Sequence, residues 1–163
     1  MKELTEEQAL AKAAALCSGA EKCTSQIREK LSAWGMDEEK SERIITYLKQ
    51  EKYIDERRYC RAYSNDKMRY NHWGRIKIRQ ALRMQALAQE DIEQGLEALD
   101  QNEYEKILKE TIDRKAKTLR ETDGYTLKQK LLRHAYSHGF EPELIFRLVD
   151  IAEHYQVSTE GAH

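Results

Sequence analysis

Apolar positions along the chain fall at helical spacing. Ile27, Leu31 and Trp34 stand at i, i+4 and i+7, and Ile44, Ile45 and Leu48 follow on a second stripe. Polar signals punctuate these stripes. Thr5 with Gln8 has the form of a capping box before an alanine-rich helix to about Cys17, and Ser18-Gly19 breaks it. A second helix starts near Thr24 or Ser25 and ends at Gly35, and Asp37 caps a third. Asp55 is placed to cap a helix running to about Tyr70, with a break over 71–74. Helices carrying Ile78 and Leu82, then Ile92, Leu96 and Leu99, come next. A long charged helix runs from Gln101 to about Thr122, and Asp123-Gly124 breaks it. Leu127 and Leu131 lead to Gly139-Phe140, and Pro142 opens a last helix holding Ile145, Leu148 and Val149.

These elements recur as a frame. Gly35, Ala86 and Gly139 lie 51 and 53 residues apart. Eight residues before each stand Ile27, Ile78 and Leu131, and one residue after stand Met36, Leu87 and Phe140. A supersecondary unit used three times is the reading. The expected fold is all-α: three tandem three-helix repeats over 5–52, 53–101 and 102–155, with a flexible tail at 156–163. Such repeats contact their neighbours, so an elongated, curved helical array is expected. Ala86 disfavours the left-handed turn that glycine makes easily, so the second frame is expected to end differently.

Composition changes this picture little. Charged residues are 35% and apolar residues 40%, which suits helices with one buried and one solvated face, and the single proline and seven glycines argue against an all-β fold. No apolar run approaches a membrane span, and the N-terminus lacks the basic-then-apolar order of a secretory signal. Cys17, Cys23 and Cys60 are odd in number and lack CxxC spacing, which reads as reduced thiols in a cytoplasmic protein.

Charge changes it more. The formal net charge is −1, yet residues 57–84 hold nine Lys or Arg and one acid, Asp66. Tyr59, Tyr63, Tyr70 and Trp73 are interleaved with them. Tyr59 and Tyr63 are in register with a core stripe, whereas Tyr70 and Trp73 fall at a helix end and loop. Arg75, Arg79 and Arg83 recur at i, i+4 and i+8, beside the stripe of Ile78 and Leu82. Lys67 and Arg69 precede them, and a second basic patch includes Lys115 and Lys117. So much local charge of one sign with so few acids beside it points to an anionic partner. Arginine forks fit phosphates and carboxylates alike, so the stripe does not choose between DNA and an acidic protein surface.

No catalytic motif stands out: there is no Walker A loop, GxGxxG, HExxH or serine elbow. His134 and His138 lie four apart without a third ligand at metal-site spacing, so no metal and no cofactor is assigned.

Several short motifs stand in order: SQIREKLSAWGM with ERIITYL in the first unit, LKQEKYIDERRYCRAY at the junction, and Arg69, Gly74, Arg75, Ile78 and Leu82 in the pattern R-x4-G-R-x-x-I-x-x-x-L. The third unit ends KQKLLRHAYSHGFEPELIFRLV. In order and spacing they resemble the RecX family, modulators of the RecA recombinase, and the resemblance covers roughly residues 8–153. It implies a non-enzymatic, monomeric negative modulator that lies in the groove of the RecA–single-stranded-DNA filament. There it limits recombinase, ATPase and co-protease activities, with at most weak direct DNA binding. The partner-facing residues expected are Lys67, Arg69, Arg75, Arg79, Arg83, Lys115 and Lys117. The alternative is a stand-alone helix-turn-helix-like DNA-binding protein with 74–84 as recognition helix. On the filament reading, Arg75→Glu combined with Arg79→Glu is expected to leave helix content intact and abolish filament inhibition.

Overall fold

The structure, a computed structural model, describes residues 3–120 and 123–149. Within them every regular element is a helix. The order is α1 (Glu6–Gly19), α2 (Thr24–Ala33), α3 (Glu38–Gln50), α4 (Glu56–Asn71), α5 (Arg75–Met84), α6 (Gln89–Glu97), α7 (Gln101–Thr118), α8 (Gly124–Ser137) and α9 over residues 142–149. The chain forms two compact units, Met1–Tyr63 with Ala81–Ala98, and Ser64–Gln80 with Leu99–His163. The expected second repeat, 53–101, thus divides between them. The end of the third repeat beyond 149 and the tail at 156–163 lie outside the described residues.

In the first unit α1 opens on the expected capping box: the Gln8 N–H donates to Thr5 Oγ1 and the Thr5 N–H to Gln8 Oε1. Ala9 and Ala13, one turn apart, are fully buried, and such small side chains let α1 lie close against α2 and α3. Ile27 and Leu31 of α2, Met36, and Ile44, Ile45 and Leu48 of α3 complete that core with Ile54. Asp37 caps α3 by accepting from the Lys40 N–H, and Asp55 accepts from the Arg58 N–H at the start of α4. Gly95 of α6 is buried against Cys60 of α4, where an added Cβ would stand 2.9 Å from the Cys60 carbonyl. Glycine here serves close helix approach.

The second unit is centred on Met68, Ile78, Tyr104, Leu108, Ile112, and Phe140, all buried. Tyr104 and Phe140 meet with ring centroids 5.2 Å apart. Asp100 caps α7 through the Glu103 N–H. That helix stops at Thr118, short of the expected Thr122, because Leu119 is already extended; 121–122 lie outside the described residues. Asp123-Gly124 does not simply interrupt the chain: Asp123 caps α8 and Gly124 is its first residue.

One expectation is overturned. Ala86 takes φ +57°, the same left-handed region as Gly35 (+87°) and Gly139 (+93°). The second frame ends as the other two do, against the steric preference of its residue.

Candidate functional site

The basic zone is built on α4, α5 and α7, and its charges meet acids from distant parts of the sequence. In the first unit Arg57 reaches Asp91 at 2.9 Å and Glu90 at 3.3 Å, and Arg58 pairs with Glu21. In the second, Arg69 makes a two-pronged contact with Glu103 through Nε at 2.8 Å and Nη2 at 3.1 Å. That hydrogen bond and the Glu103 charge raise the Arg69 pKa above its ordinary value. Counting acids by sequence proximity therefore overstates the uncompensated charge.

Arg75 departs furthest from the exposed stripe expected of it. Its side chain is only 16% exposed. The guanidinium lies over the Tyr104 ring, 4.1 Å from the centroid, with Nη1 on Glu141 at 3.2 Å and Nη2 on Gln101 at 2.9 Å. The Tyr104 hydroxyl donates to Glu141 and accepts from the Arg75 N–H at 2.9 Å. Burial first, and then the Glu141 hydrogen bond, push the Tyr104 phenol above its ordinary pKa. The network ties α5 and α7 to the start of α9.

Tertiary partners take the donors at the start of α5: beside the Tyr104 hydroxyl on the Arg75 N–H, two backbone carbonyls do so. The Gly74 N–H donates to the His138 carbonyl at 2.7 Å and the Ile76 N–H to the Gly139 carbonyl at 2.9 Å. A Cβ on Gly74 would run into the Gly139–Phe140 peptide, and one on Gly139 into Lys77. The conspicuous Gly-Arg of the 69–82 motif is therefore a fold device: glycine for backbone contact, arginine for the network.

Around this joint, Trp73 is half-buried with Lys67 Nζ 4.9 Å and Lys77 Nζ 4.8 Å from its ring, while Tyr70 is exposed. Lys77 was missed by sequence reasoning because it lies off the i, i+4, i+8 stripe. Arg79 is partly buried on α5. Lys115 is partly buried and Lys117 exposed, both on α7. Arg83, in the first unit, is exposed. The structure thus brings Lys67, Arg69, Arg75, Arg79, Lys115 and Lys117 into one compact unit and leaves Arg83 to the other.

His134 and His138 lie with ring centroids 4.7 Å apart, and His138 Nδ1 stands 2.9 Å from the His72 carbonyl oxygen, which can only accept. Burial, His138 and Lys115, in that order, lower the His134 pKa. Among the described residues no group of three His, Cys, Asp or Glu is arranged to hold a metal ion. All three cysteines are free thiols; Cys60 is buried, and that burial pushes its pKa up to about 12. No helix among the described residues is long and apolar enough to cross a membrane.

Residues 55–96 match the family model described as RecX, second three-helix domain, and residues 102–149 match RecX, third three-helix domain. Together the two matches take in more than half of the chain. The chain is 31% identical over 138 residues to the regulatory protein RecX of Clostridium botulinum strain Alaska E43, covering 83% of the chain and 64% of that relative. It is 28% identical over 122 residues to the regulatory protein RecX of Clostridium perfringens strain 13, covering 74% and 57%. The chain therefore spans somewhat less than two thirds of these relatives' length. Among solved structures it resembles the crystal structure of RecX from Lactobacillus salivarius, with a TM-score of 0.82 at 15% identity, covering 91% of this chain and 96% of that one. A crystal structure of regulatory protein RecX gives 0.76 at 23% identity, covering 91% and 81%. At these identities the structural likeness speaks to the fold.

Proposed function

Because the chain belongs to the RecX family, we propose that it is a non-enzymatic regulator that binds the RecA filament on single-stranded DNA and restrains it. The observation that carries this is the match of two successive three-helix domains, in order, over most of residues 55–149. The restraint falls on the filament's recombinase, ATPase and co-protease activities. The protein acts in the cytoplasm as a monomer built of three repeats, 5–52, 53–101 and 102–155, and lies in the filament groove. Several weak contacts in tandem raise one another's effective concentration, so no single contact need be strong.

Within this reading the proposed contact set divides by role. Lys67, Arg79, Arg83, Lys115 and Lys117 meet the filament. Arg69 and Arg75 hold the surface in shape through Glu103 and Glu141.

The test is RecA ATP turnover on single-stranded DNA with and without this protein. Inhibition well below one copy per recombinase protomer is expected. Full turnover at saturating protein would sink the proposal. Binding to naked DNA that falls steeply with salt, with no effect on RecA, would favour the stand-alone DNA-binding alternative.

A further inference from the structure

We propose that the groove between α8 and α9 seats an unstacked base of single-stranded nucleic acid, with an adjoining phosphate held by Arg133, the cation that lines it. This rests on the filament reading above and deepens it, by giving the third domain a direct grip on the filament's DNA.

The groove comes from two helical stripes. On α8, Gln129, Leu132, Arg133 and Tyr136 lie at i, i+3, i+4 and i+7 and share one face. The core uses a different stripe of that helix, Leu131 and Ala135. Across the groove stand Pro142, Ile145 and Phe146. The volume is about 290 Å3, near the lower end for small-molecule sites, with room for a ring-sized group. Its aromatic walls are open to solvent: Tyr136 is 58% exposed and Phe146 49%.

Charge selects the occupant. From Gly124 to Ser137, α8 carries Lys128, Lys130 and Arg133 and no Asp or Glu. Aromatic faces beside a basic track suit a single strand: every base offers a π-face, and the phosphates neutralise the lysines and arginines. An acidic, apolar protein segment is the competing occupant.

The experiment compares a 20-nucleotide oligo-dT with an abasic 20-mer of equal charge, by fluorescence anisotropy with the full chain. Wild type is expected to bind oligo-dT at least about fivefold more tightly, the size of one stacking contact. Tyr136→Ala and Phe146→Leu should erase that preference and leave abasic binding unchanged. Arg133→Gln should weaken both oligonucleotides alike. Thermal melts confirm that each variant is folded. Equal wild-type affinity for the two oligonucleotides overturns the proposal, as does a preference that survives both aromatic substitutions. RecA inhibition measured on the same proteins separates the two readings. Base preference without inhibition keeps the groove and sinks the filament reading. Inhibition that Tyr136→Ala abolishes, with no base preference, assigns the groove to a protein segment and overturns the nucleic-acid seat.

Discussion

Ala86 holds a backbone angle that its own Cβ resists, at a cost of about 1–2 kcal/mol. Ala86→Gly removes that strain at the price of a freer unfolded chain, so stability should rise by about 1 kcal/mol, read as a higher urea midpoint. Arg75 is the opposite case, a residue whose surroundings all favour it. Arg75→Ala leaves Glu141 partly buried without its cation and strips the Tyr104 ring of its cover. A loss of about 2 kcal/mol in urea unfolding is expected. Lysine should rescue little, because it has neither the fork nor the flat face. Arg75→Glu, expected from the sequence to spare the fold, places a carboxylate beside Glu141 and so perturbs the fold before it reports on any partner.

At the scale of elements, the N-caps of α1, α3 and α4 were legible because a cap is local: Thr5, Asp37 and Asp55 accept from residues three further on. The start of α5 was not, because two of its acceptors lie 64 and 63 residues away at the end of α8 and a third is the Tyr104 hydroxyl, and nothing in a local pattern says which acceptor meets which amide. Gly74→Ala should part this joint, costing about 2 kcal/mol. The Ile76 amide should then exchange with solvent hydrogen faster than in wild type. The same helix end carries a pH response. The folded-state pKa of His134 lies below its ordinary 6.5, so under acid the unfolded chain takes up the proton first. Stability therefore falls as pH drops below about 6.5 and the loss levels off below the folded-state value. His134→Gln should shrink the drop in urea midpoint between pH 7 and pH 5; an unchanged drop would place the titration elsewhere.

For the whole molecule, the three helical frames could be read from spacing, since each left-handed stop lies just past a buried stripe. The candidate surface could be read only in part. Local charge located the arginines, but partners such as Glu21, Glu103 and Glu141 are recruited by folding. Exposed positions now serve the functional question better than buried ones. Arg83→Glu combined with Lys117→Glu touches two exposed cations, so helix content by circular dichroism should not change. The concentration needed for half-inhibition of RecA should rise about tenfold, equivalent to roughly 1.4 kcal/mol of binding. Unchanged inhibition would remove both residues from the contact set.

The meeting of Gly74 with the Gly139 peptide also couples the two positions thermodynamically. A methyl on Gly74 meets that peptide and one on Gly139 meets Lys77 of α5, so both pry at the joint between α5 and the turn after α8. The second methyl enters a gap the first has made, while the positive φ of Gly139 adds a strain of its own. In a double-mutant cycle, Gly74→Ala with Gly139→Ala should cost less than the sum of the two single changes. Neither site alone should tolerate substitution, and a library that varies them independently will recover glycine at both.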